Sequence, residues 1–525
     1  MVDTRPETGW DDILQALDER RLARDREADE SVQRHRAQGK LLVRERIERL
    51  LDPGSFEEIG SAAGTPVYEE GKLVAFRPSG YLMGLGRIDG RRVVVGGEDF
   101  TSRGTPGRGE GGGMSRSAFA ERMAMDWRLP LVRLIDAFGA NIRAVEGMGR
   151  TYVPRIPGIV MLKELMATVP VVGAVMGSIA GLPAAVAVAS HWSIMIKGQS
   201  HIFPAGPPVV KRALGIDIHK EDLGGYQVHA MKSGVIDNLA ENEDDCLQQI
   251  RRFLSYLPSS VWQAPPRLPT GDDPNRREEA LSSIIPRNRS RVYDVRRMLR
   301  LVVDKDSLFE LAPFYGRSLL TSFARLDGYP VGVLANDPRH IGGSLDAAAS
   351  EKLTRFVDLC DLFHLPIVNF VDQPGFMVGR AAEEAGTIRK GTRALFAIQE
   401  SRVPWLTIIV RKCYGVAGAG FTRYGGLEML YAWPSAEWGS IPIEGGVDAA
   451  YRRDIASSPD PEARRRELEQ RLVEMRSPIG AAEAFNVPEI IDPRDTRRRV
   501  CEFLEIAQEL IRTQTGRKQG DGIRP

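Results

Sequence analysis

Short apolar runs alternate with amphipathic stretches along most of the chain. Runs such as RRVVVGG (91–97) have the β-branched composition of buried strands, and stretches such as SAFAERMAMDW (117–127) carry apolar residues at helical spacing. This alternation predicts an α/β protein in which helices cover the faces of sheets. The first 50 residues differ, because segments rich in Glu, Arg and Leu predict a helical arm that packs on a neighbour.

The chain also contains an internal repeat. Three blocks recur in the same order: GRIDGRRVVVGGED (86–99) matches ARLDGYPVGVLAND (324–337), LPLVRLIDAFGA (129–140) matches LPIVNFVDQPGF (365–376), and VPVVGAVMGSIAGLPAA (169–185) matches VPWLTIIVRKCYGVAGA (403–419). The separation drifts only from 238 to 234 positions. We therefore predict two homologous domains. The expected boundaries are an arm at 1–50, a first domain at 51–260, a proline-rich linker at 261–285 and a second domain at 286–525.

In each half, a predicted buried strand runs into a cluster of small residues, GSIAGLPAA (177–185) or YGVAGA (414–419). The first N–H groups of a helix have no partner within the helix, and the helix dipole adds positive potential there. Small residues let a ligand oxygen approach these donors. The two clusters therefore predict a pair of backbone oxyanion holes. The alternative is that glycine and alanine only permit close packing of a helix on the sheet.

Two oxyanion holes suit a reaction in which two carbonyl oxygens gain negative charge. Transfer of a carboxyl group from carboxybiotin to an acyl-CoA is such a reaction. Charge builds on the ureido oxygen when the carboxyl group leaves, and on the thioester oxygen when the α-proton is lost. The biotin nitrogen can take that proton, which fits a chain without an obvious acid/base constellation.

Composition excludes several other classes of function. The chain has 71 Lys and Arg against 70 Asp and Glu, so its net charge of +1 gives no global field for nucleic acid or an acidic membrane surface. The four cysteines, Cys246, Cys360, Cys413 and Cys501, lie far apart, so we expect no metal site, no disulfide and a reducing cytoplasm. No segment reaches the apolar length of a membrane span.

Longer motifs resemble one family along nearly the whole chain. They include GKLLVRERIERLLDPGSFEEIG (39–60), YDVRRMLRLVVDKDSLFEL (293–311) and VDQPGFMVGRAAEEAGTIRKGTRALFA (371–397). In these motifs the chain resembles the carboxyltransferase (β) subunits of biotin-dependent acyl-CoA carboxylases, the propionyl-CoA and methylcrotonyl-CoA group. The resemblance implies tandem crotonase-like domains of the ClpP/crotonase superfamily, built of repeated ββα spiral units. It also implies an active site between the first domain of one chain and the second domain of another.

The resemblance further implies the partners and the site residues. The cofactor is biotin, as carboxybiotin on a separate biotin carboxylase/biotin carrier α-subunit. The substrate is a coenzyme A thioester, and the assembly is a homo- or hetero-hexamer built as a trimer of dimers. Gly181 and Leu182 would form the thioester oxyanion hole, and Val416 and Ala417 the hole for the biotin ureido oxygen. The residues expected to border coenzyme A or biotin are Gly139, Ala140, Gly206, Pro207, Asp372, Pro374, Gly375, Phe376 and Gly415.

Several positions depart from the family pattern near the acyl-CoA site. Leu182 and Val416 stand where the family has glycine, and Phe138 and Asn141 replace a glycine and an arginine. A β-branched residue such as Val416 would be strained at a positive φ. The departures keep two alternatives open. One is a non-catalytic or atypical subunit of a mixed complex, and the other is a crotonase-like acyl-CoA enzyme or decarboxylase that does not use biotin.

Other candidate features receive a structural interpretation. The glycine-rich loop at 101–117 formally contains G-x-G-x-x-G, but its length favours a flap over the coenzyme A entrance rather than a dinucleotide fingerprint. His191, His201 and His229 lack metal-ligand spacing and are predicted to be hydrogen-bonded structural histidines. Cys413 has no histidine partner visible in the sequence, which favours a packing residue over a nucleophile.

Overall fold

The computed structural model describes residues 9–23, 29–102, 115–139, 146, 149–151, 153 and 158–518. Most of the predicted flap, residues 103–114, and the site residues Ala140 and Asn141 lie outside the described residues. The backbone divides into two compact units. The first comprises the described residues up to His229 together with Leu239–Leu254, and the second comprises Ala230–Asn238 and the residues from Ser255 onward. The domain boundaries given above remain predictions.

The first unit contains a mainly parallel sheet with the strand order β1-β4-β5-β6-β7-β9-β11. The strands are β1 (Glu57–Glu58), β2 (Gly64–Glu69), β3 (Lys72–Pro78), β4 (Tyr81–Ile88), β5 (Arg91–Glu98), β6 (Leu131–Ile135), β7 (Val171–Val175), β8 (Ser178–Ala180), β9 (Trp192–Ile196), β10 (His201–Phe203) and β11 (Asn238–Ala240). The helices are α1 (Asp11–Leu22), α2 (Glu30–Arg36), α3 (Val43–Leu50), α4 (Arg116–Trp127), α5 (Gly158–Leu165), α6 (Leu182–Val188), α7 (Pro207–Leu214), α8 (Lys220–Gly224), α9 (Tyr226–His229) and α10 (Glu243–Tyr256).

The central strands of this sheet are buried on both faces. All five residues of β6, β7 and β9 are buried, as expected for parallel strands covered by helices on both sides. Apolar side chains from β4 to β7 pack with those of α4 and α5 into one core. Helix α3 also belongs to this unit, since Ile47 and Leu50 are fully buried.

The second unit contains a sheet with the strand order β12-β13-β14-β15-β16-β17-β19, and β18 pairs with β16. The strands are β12 (Phe309–Leu311), β13 (Leu319–Leu326), β14 (Tyr329–Asn336), β15 (Ile367–Gln373), β16 (Trp405–Tyr414), β17 (Glu428–Ala432), β18 (Glu437–Gly439) and β19 (Glu489–Ile490). The helices are α11 (Val295–Val302), α12 (Ala347–Leu362), α13 (Arg380–Glu384), α14 (Thr387–Glu400), α15 (Gly415–Ala419), α16 (Ile443–Ala450), α17 (Arg452–Ser457), α18 (Pro461–Glu474), α19 (Pro478–Glu483) and α20 (Thr496–Gln514). Short 3₁₀ segments lie at Glu279–Ser283, Ile341–Gly343 and Pro493–Asp495.

The hairpins β4–β5 and β13–β14 have the same register. Tyr81 pairs with Glu98 at the open end of the first hairpin, and Leu319 pairs with Asn336 at the open end of the second. In both units the second strand of the hairpin continues into a parallel pairing, β5 with β6 and β14 with β15. The sequence repeat therefore corresponds to a repeat of structure.

The turns of the two hairpins have the same residues and the same backbone conformation. Asp89–Gly90 have φ values of 50° and 78°, and Asp327–Gly328 have φ values of 50° and 77°. Such turns match the twist of a two-residue hairpin and favour Asp-Gly. In each unit one carboxylate accepts hydrogen bonds from both turn N–H groups: Asp52 in the first unit and Asp304 in the second. This agreement supports two copies of one ancestral domain.

Within the ranges that the structure describes, no helix combines the length and apolar character needed to cross a bilayer.

Candidate active site

The strand-to-helix junction of the first unit places a glycine before α6. Strand β8 ends at Ala180, Gly181 has a φ of 72°, and α6 begins at Leu182, with Pro183 in its first turn. A side chain at residue 181 would be strained at this φ, so glycine is required there. Pro183 removes no hydrogen bond, because the first N–H groups of a helix have no partner within it. The N–H of Leu182 belongs to this group, and among the described residues it has no backbone acceptor.

The second unit repeats the junction. Strand β16 ends at Tyr414, Gly415 has a φ of 64°, and α15 spans Gly415–Ala419. The N–H groups of Val416 and Ala417 lie in the first turn of α15 and have no partner within the helix. The side chain of Val416 is 64% exposed, whereas Ala417 is buried.

The two departures from glycine, Leu182 and Val416, fit this backbone. The positive φ falls on Gly181 and Gly415, one residue earlier, and neither Leu182 nor Val416 has a positive φ. The backbone strain that a positive φ would cause at Val416 is therefore absent. Both side chains are substantially exposed, Leu182 at 44%. They narrow the space beside each helix start without displacing the backbone donors.

Gly181 forms the turn between β8 and α6, and its own N–H is already hydrogen-bonded. Its N–H donates to the carbonyl oxygen of Phe203 at 3.2 Å. Phe203 ends β10, Gly206 follows three residues later, and α7 begins at Pro207. Gly206 lies against the Phe203 ring, since a Cβ at Gly206 would be 3.6 Å from a ring carbon. Gly206 and Pro207 are half-buried and are linked through Phe203 to the start of α6.

The loop after β6 packs directly on the start of α6. The N–H of Gly139 donates to the carbonyl oxygen of Ala180 at 2.9 Å. A Cβ at Gly139 would lie 2.7 Å from the nitrogen of Leu182 and 2.9 Å from Cδ of Pro183. Only glycine fits this approach. The structure thus brings Gly139 to the first predicted oxyanion hole.

Phe138 forms an aromatic pair beside this loop. Its ring contacts that of Phe100 edge to face, with 5.7 Å between centroids. Both side chains are about half exposed, at 50% and 49%. The residue that replaces a family glycine therefore adds apolar surface near the start of α6.

A buried carboxylate follows β6. Asp136 is 2% exposed, and its Oδ2 lies 3.4 Å from Nη1 of Arg46 and 3.8 Å from Nζ of Lys40. Arg46 also forms a bidentate pair with Glu243, at 2.8 and 2.7 Å. A Cβ at Gly177 would lie 2.1 Å from Asp136 Oδ1, so the carboxylate packs on the segment that leads into β8. This network holds the loop after β6 in place.

The second unit has the corresponding carboxylate, Asp372, near the end of β15, one residue before the strand ends at Gln373. It is fully buried, and Nη2 of Arg411 lies 2.8 Å from its Oδ2. The hydroxyl of Tyr293 donates to Oδ2 at 3.1 Å, and the N–H of Lys412 donates to Oδ1 at 3.2 Å. Burial and the Asp372 charge raise the pKa of Tyr293. Asp372, predicted as a biotin-side residue, is thus placed to tie β15 to β16.

The loop Pro374–Phe376 extends from the same strand. Gly375 has a φ of 128°, and its carbonyl accepts from the N–H of Leu345 at 3.1 Å. The Phe376 ring packs against Gly391, where a Cβ would lie 2.2 Å from a ring carbon. Because β15 and β16 are parallel neighbours, this loop and α15 lie at the same edge of the sheet.

Two predicted structural histidines and Cys413 have the expected surroundings. His191 Nδ1 accepts from the N–H of Val171, and Nε2 lies 2.9 Å from the carbonyl oxygen of Met166. His229 Nε2 lies 2.7 Å from the carbonyl oxygen of Ile202. Burial raises the pKa of Cys413 to about 12, so the thiol is protonated and unreactive near neutral pH. These predictions are confirmed.

Comparison with known proteins gives matches over nearly the full length. The carboxyl transferase domain family matches residues 34–521. The methylmalonyl-CoA decarboxylase subunit alpha of Veillonella parvula is 34% identical over 501 residues, which cover 94% of this chain and 95% of that protein. The propionyl-CoA carboxylase carboxyltransferase subunit of Haloferax mediterranei is 35% identical over 496 residues, covering 92% and 93%. A structure of transcarboxylase 12S, described as a hexamer with methylmalonyl-coenzyme A and methylmalonic acid bound, superposes with a TM-score of 0.84 at 30% identity, covering 98% of this chain and 96% of that one.

The fold and the two glycine-led helix starts define a crotonase-like carboxyltransferase. The chain belongs to the carboxyl transferase domain family, and within it to the carboxyltransferase subunits of biotin-dependent acyl-CoA carboxylases. The predicted fold class and enzyme class are confirmed, and the two alternatives left open by the sequence are not favoured.

Proposed function

We propose that this chain moves a carboxyl group from carboxybiotin, carried by a separate biotin carboxylase/biotin carrier α-subunit, to a short acyl-CoA. The observation that carries the proposal is the matched pair of helix starts. Each follows a glycine of positive φ, and each leaves backbone N–H groups open, at Leu182 in the first unit and at Val416 and Ala417 in the second. Two such donor sets serve two carbonyl oxygens that gain charge in one reaction.

The first unit would act on the thioester. The Leu182 N–H donates to the thioester oxygen as negative charge develops there, which stabilises the enolate formed when the α-proton leaves. Gly139 keeps the loop after β6 against this donor, and Asp136 with Arg46 holds the loop from behind. Coenzyme A would be bordered by Gly139 and by Gly206 and Pro207 at the start of α7; Ala140, which is also expected there, lies outside the described residues.

The second unit would receive biotin. The residues present fit a ureido carbonyl, because the N–H groups of Val416 and Ala417 are neutral donors at a helix start and Gly415 adds no side chain. When bound, carboxybiotin supplies the carboxyl group and a nitrogen that can accept a proton. The loop Pro374–Phe376 would line the same edge of the sheet, and the Asp372–Arg411 pair would hold that edge rigid.

The side chains beside the first donor support a short acyl group. Leu182 and Phe138 place apolar surface where the family has glycine, and both are substantially exposed. They reduce the room next to the thioester and favour small acyl chains over long ones. We further propose assembly as a hexamer, a trimer of dimers, and a cytoplasmic location, which is consistent with four separated cysteines.

A carboxylation assay tests the proposal. The purified chain is combined with an α-subunit from the same source, ATP and bicarbonate, and the products from acetyl-, propionyl-, butyryl- and palmitoyl-CoA are measured by mass. We expect carboxylation of short thioesters that requires both subunits. Absence of product across the panel, with the two subunits shown to associate, would overturn the proposal.

A further inference from the structure

Ser178, His201 and Glu221 form a hydrogen-bonded chain in the first unit. Ser178 Oγ lies 2.9 Å from Nδ1 of His201, and Nε2 of His201 lies 2.7 Å from Oε2 of Glu221. The imidazole is 1% exposed, whereas Ser178 and Glu221 are partly exposed. The three side chains thus connect a buried base to a partly exposed serine. His201 is hydrogen-bonded as predicted, and its ring nitrogens contact side chains rather than the backbone.

The carboxylate determines which imidazole nitrogen carries the proton. Ionised Glu221 can only accept, so Nε2 of His201 donates to it and Nδ1 is left as an acceptor. The hydroxyl of Ser178 therefore donates to Nδ1. Burial lowers the pKa of His201, which keeps the ring neutral near pH 7. A hydroxyl bonded to a base that a carboxylate orients is the arrangement that activates a serine nucleophile.

The strand pair itself does not require these residues. Strands β8 and β10 are parallel and place Ser178 directly opposite His201. The end of β16 and β18 form the corresponding pair in the second unit, where Lys412 lies opposite Glu437. The same pairing therefore forms without a serine or a histidine. The backbone alone does not explain the Ser178–His201–Glu221 chain.

Ser178 also lies on the segment that leads to an open backbone donor. Strand β8 runs from Ser178 to Ala180 and continues through Gly181 into α6. We infer that Ser178 is a nucleophile that accepts the acyl group of an acyl-CoA, with His201 as its base and Glu221 as a positioning residue. The chain then hydrolyses acyl thioesters without any biotin carrier. This activity goes beyond the carboxyl transfer proposed above, and its substrate class rests on that proposal.

The reaction balances with water as the only co-substrate. The Ser178 oxygen bonds to the thioester carbon while its proton passes to Nδ1 of His201. The carbon–sulfur bond breaks, and the coenzyme A sulfur takes that proton. Water then bonds to the ester carbon and gives a proton to Nδ1, and the Ser178 oxygen leaves with that proton. The products are free coenzyme A and the carboxylic acid.

Covalent labelling tests the nucleophile directly. The full chain, without an α-subunit, is treated with a fluorophosphonate probe, and the labelled peptide is identified by mass spectrometry. Release of thiol from propionyl-CoA is followed in parallel. We expect the label on Ser178, and we expect Ser178→Ala to abolish labelling and to lower hydrolysis about a hundredfold. The matched control is Ser435→Ala, because Ser435 donates to the carbonyl of Val410, and it should change neither measurement.

The role of Glu221 is tested by the pH profile of labelling. His201 is faced by Glu221, which raises its pKa, and by Lys220 and His219, which lower it. Glu221→Gln should slow labelling and move its midpoint to lower pH, and Glu221→Asp should restore most of the rate. A purely structural role would leave the midpoint unchanged.

Two results would overturn the inference. One is a label on a residue other than Ser178, and the other is a Ser178→Ala variant that labels and hydrolyses like the natural chain. The carboxylation assay distinguishes failure of this inference from failure of the proposed function. Ser178→Ala should still carboxylate propionyl-CoA when the α-subunit is present. If the natural chain does not carboxylate, the proposed function fails, but labelling of Ser178 would still support the nucleophile.

Discussion

Asp372 and Arg411 form a buried ion pair at the edge of the second sheet. Nη2 of Arg411 lies 2.8 Å from Oδ2 of Asp372, and its Nε lies 3.1 and 3.0 Å from the two carboxylate oxygens. The carboxylate side chain is 0% exposed and the guanidinium side chain 4%. Removing one member of such a pair leaves an uncompensated charge in the interior, which is more costly than losing the pair as a whole.

We expect Arg411→Met to destabilise the protein by about 3–5 kcal/mol. The midpoint of urea denaturation measures this change. Arg380→Met is the matched control, because the Arg380 side chain is 92% exposed in its pair with Glu384, and it should change stability by about 0.5 kcal/mol or less. Equal shifts for the two variants would contradict the structural role assigned to Arg411.

Gly139→Ala should impair catalysis without unfolding the chain. A Cβ at this position would lie 2.7 Å from the Leu182 nitrogen, so the loop after β6 must move away from the open donor. We expect a fall of about a hundredfold in kcat/KM for carboxylation. The control is Gly158→Ala, because no atom of the described residues lies within 4 Å of a Cβ at Gly158, and its kcat/KM should be unchanged.

Leu182→Gly should widen the range of acyl chains. The change removes a side chain that is 44% exposed beside the donor and retains the N–H itself. The ratio of kcat/KM for palmitoyl-CoA to that for propionyl-CoA should rise about 10- to 200-fold. Ile506→Ala, an exposed apolar residue of α20, should leave the ratio unchanged. A constant ratio in both variants would show that Leu182 does not select the substrate.

Glu98 should make stability depend on pH. Its Oε2 accepts from the N–H of Asp136 at 3.2 Å. Burial raises the pKa of Glu98 from 4.5 to about 7. The negative charge of Asp136 also raises this pKa, whereas the positive charge of Arg133 lowers it. The folded protein therefore holds this proton more tightly than the unfolded chain. The resulting stabilisation is complete below about pH 4.5 and is lost as pH rises through about 7.

Glu98→Gln should remove this dependence. The corresponding residue of the second unit is an amide: Asn336 Oδ1 accepts from the N–H of Asp372 at 3.2 Å. A glutamine can thus keep the hydrogen bond without titrating. The free energy of unfolding of the variant, minus that of the natural chain, should increase by about 2 kcal/mol from pH 5 to pH 8. Urea midpoints at the two pH values measure the gain, and a difference that does not vary with pH would refute the assignment.

Features that depend on local or repeated sequence patterns could be predicted from the sequence. The blocks 86–99 and 324–337 predicted the duplication, and the structure shows two hairpins of the same register. The clusters after β8 and β16 predicted helix starts, because glycine and proline act on their own backbone. Gly181 and Gly415 hold the required positive φ.

Residues that meet only in the folded chain left no such signal. Arg46 contacts Asp136 across 90 positions and Glu243 across 197, and neither spacing follows a helical or strand period. Ser178 and His201 meet because β8 and β10 pair in parallel, which the apolar pattern of two three-residue strands does not specify. Long-range pairs of this kind depend on sheet topology rather than on local composition.

The most direct test of the account compares two substitutions at one backbone donor. Leu182→Pro removes the N–H at a first-turn position where proline fits a helix, and Leu182→Ala keeps it. With the α-subunit, ATP and propionyl-CoA, we predict that Leu182→Pro lowers kcat about 10²- to 10³-fold relative to Leu182→Ala, at similar urea midpoints. Equal kcat values for the two variants would contradict a backbone oxyanion hole at the start of α6.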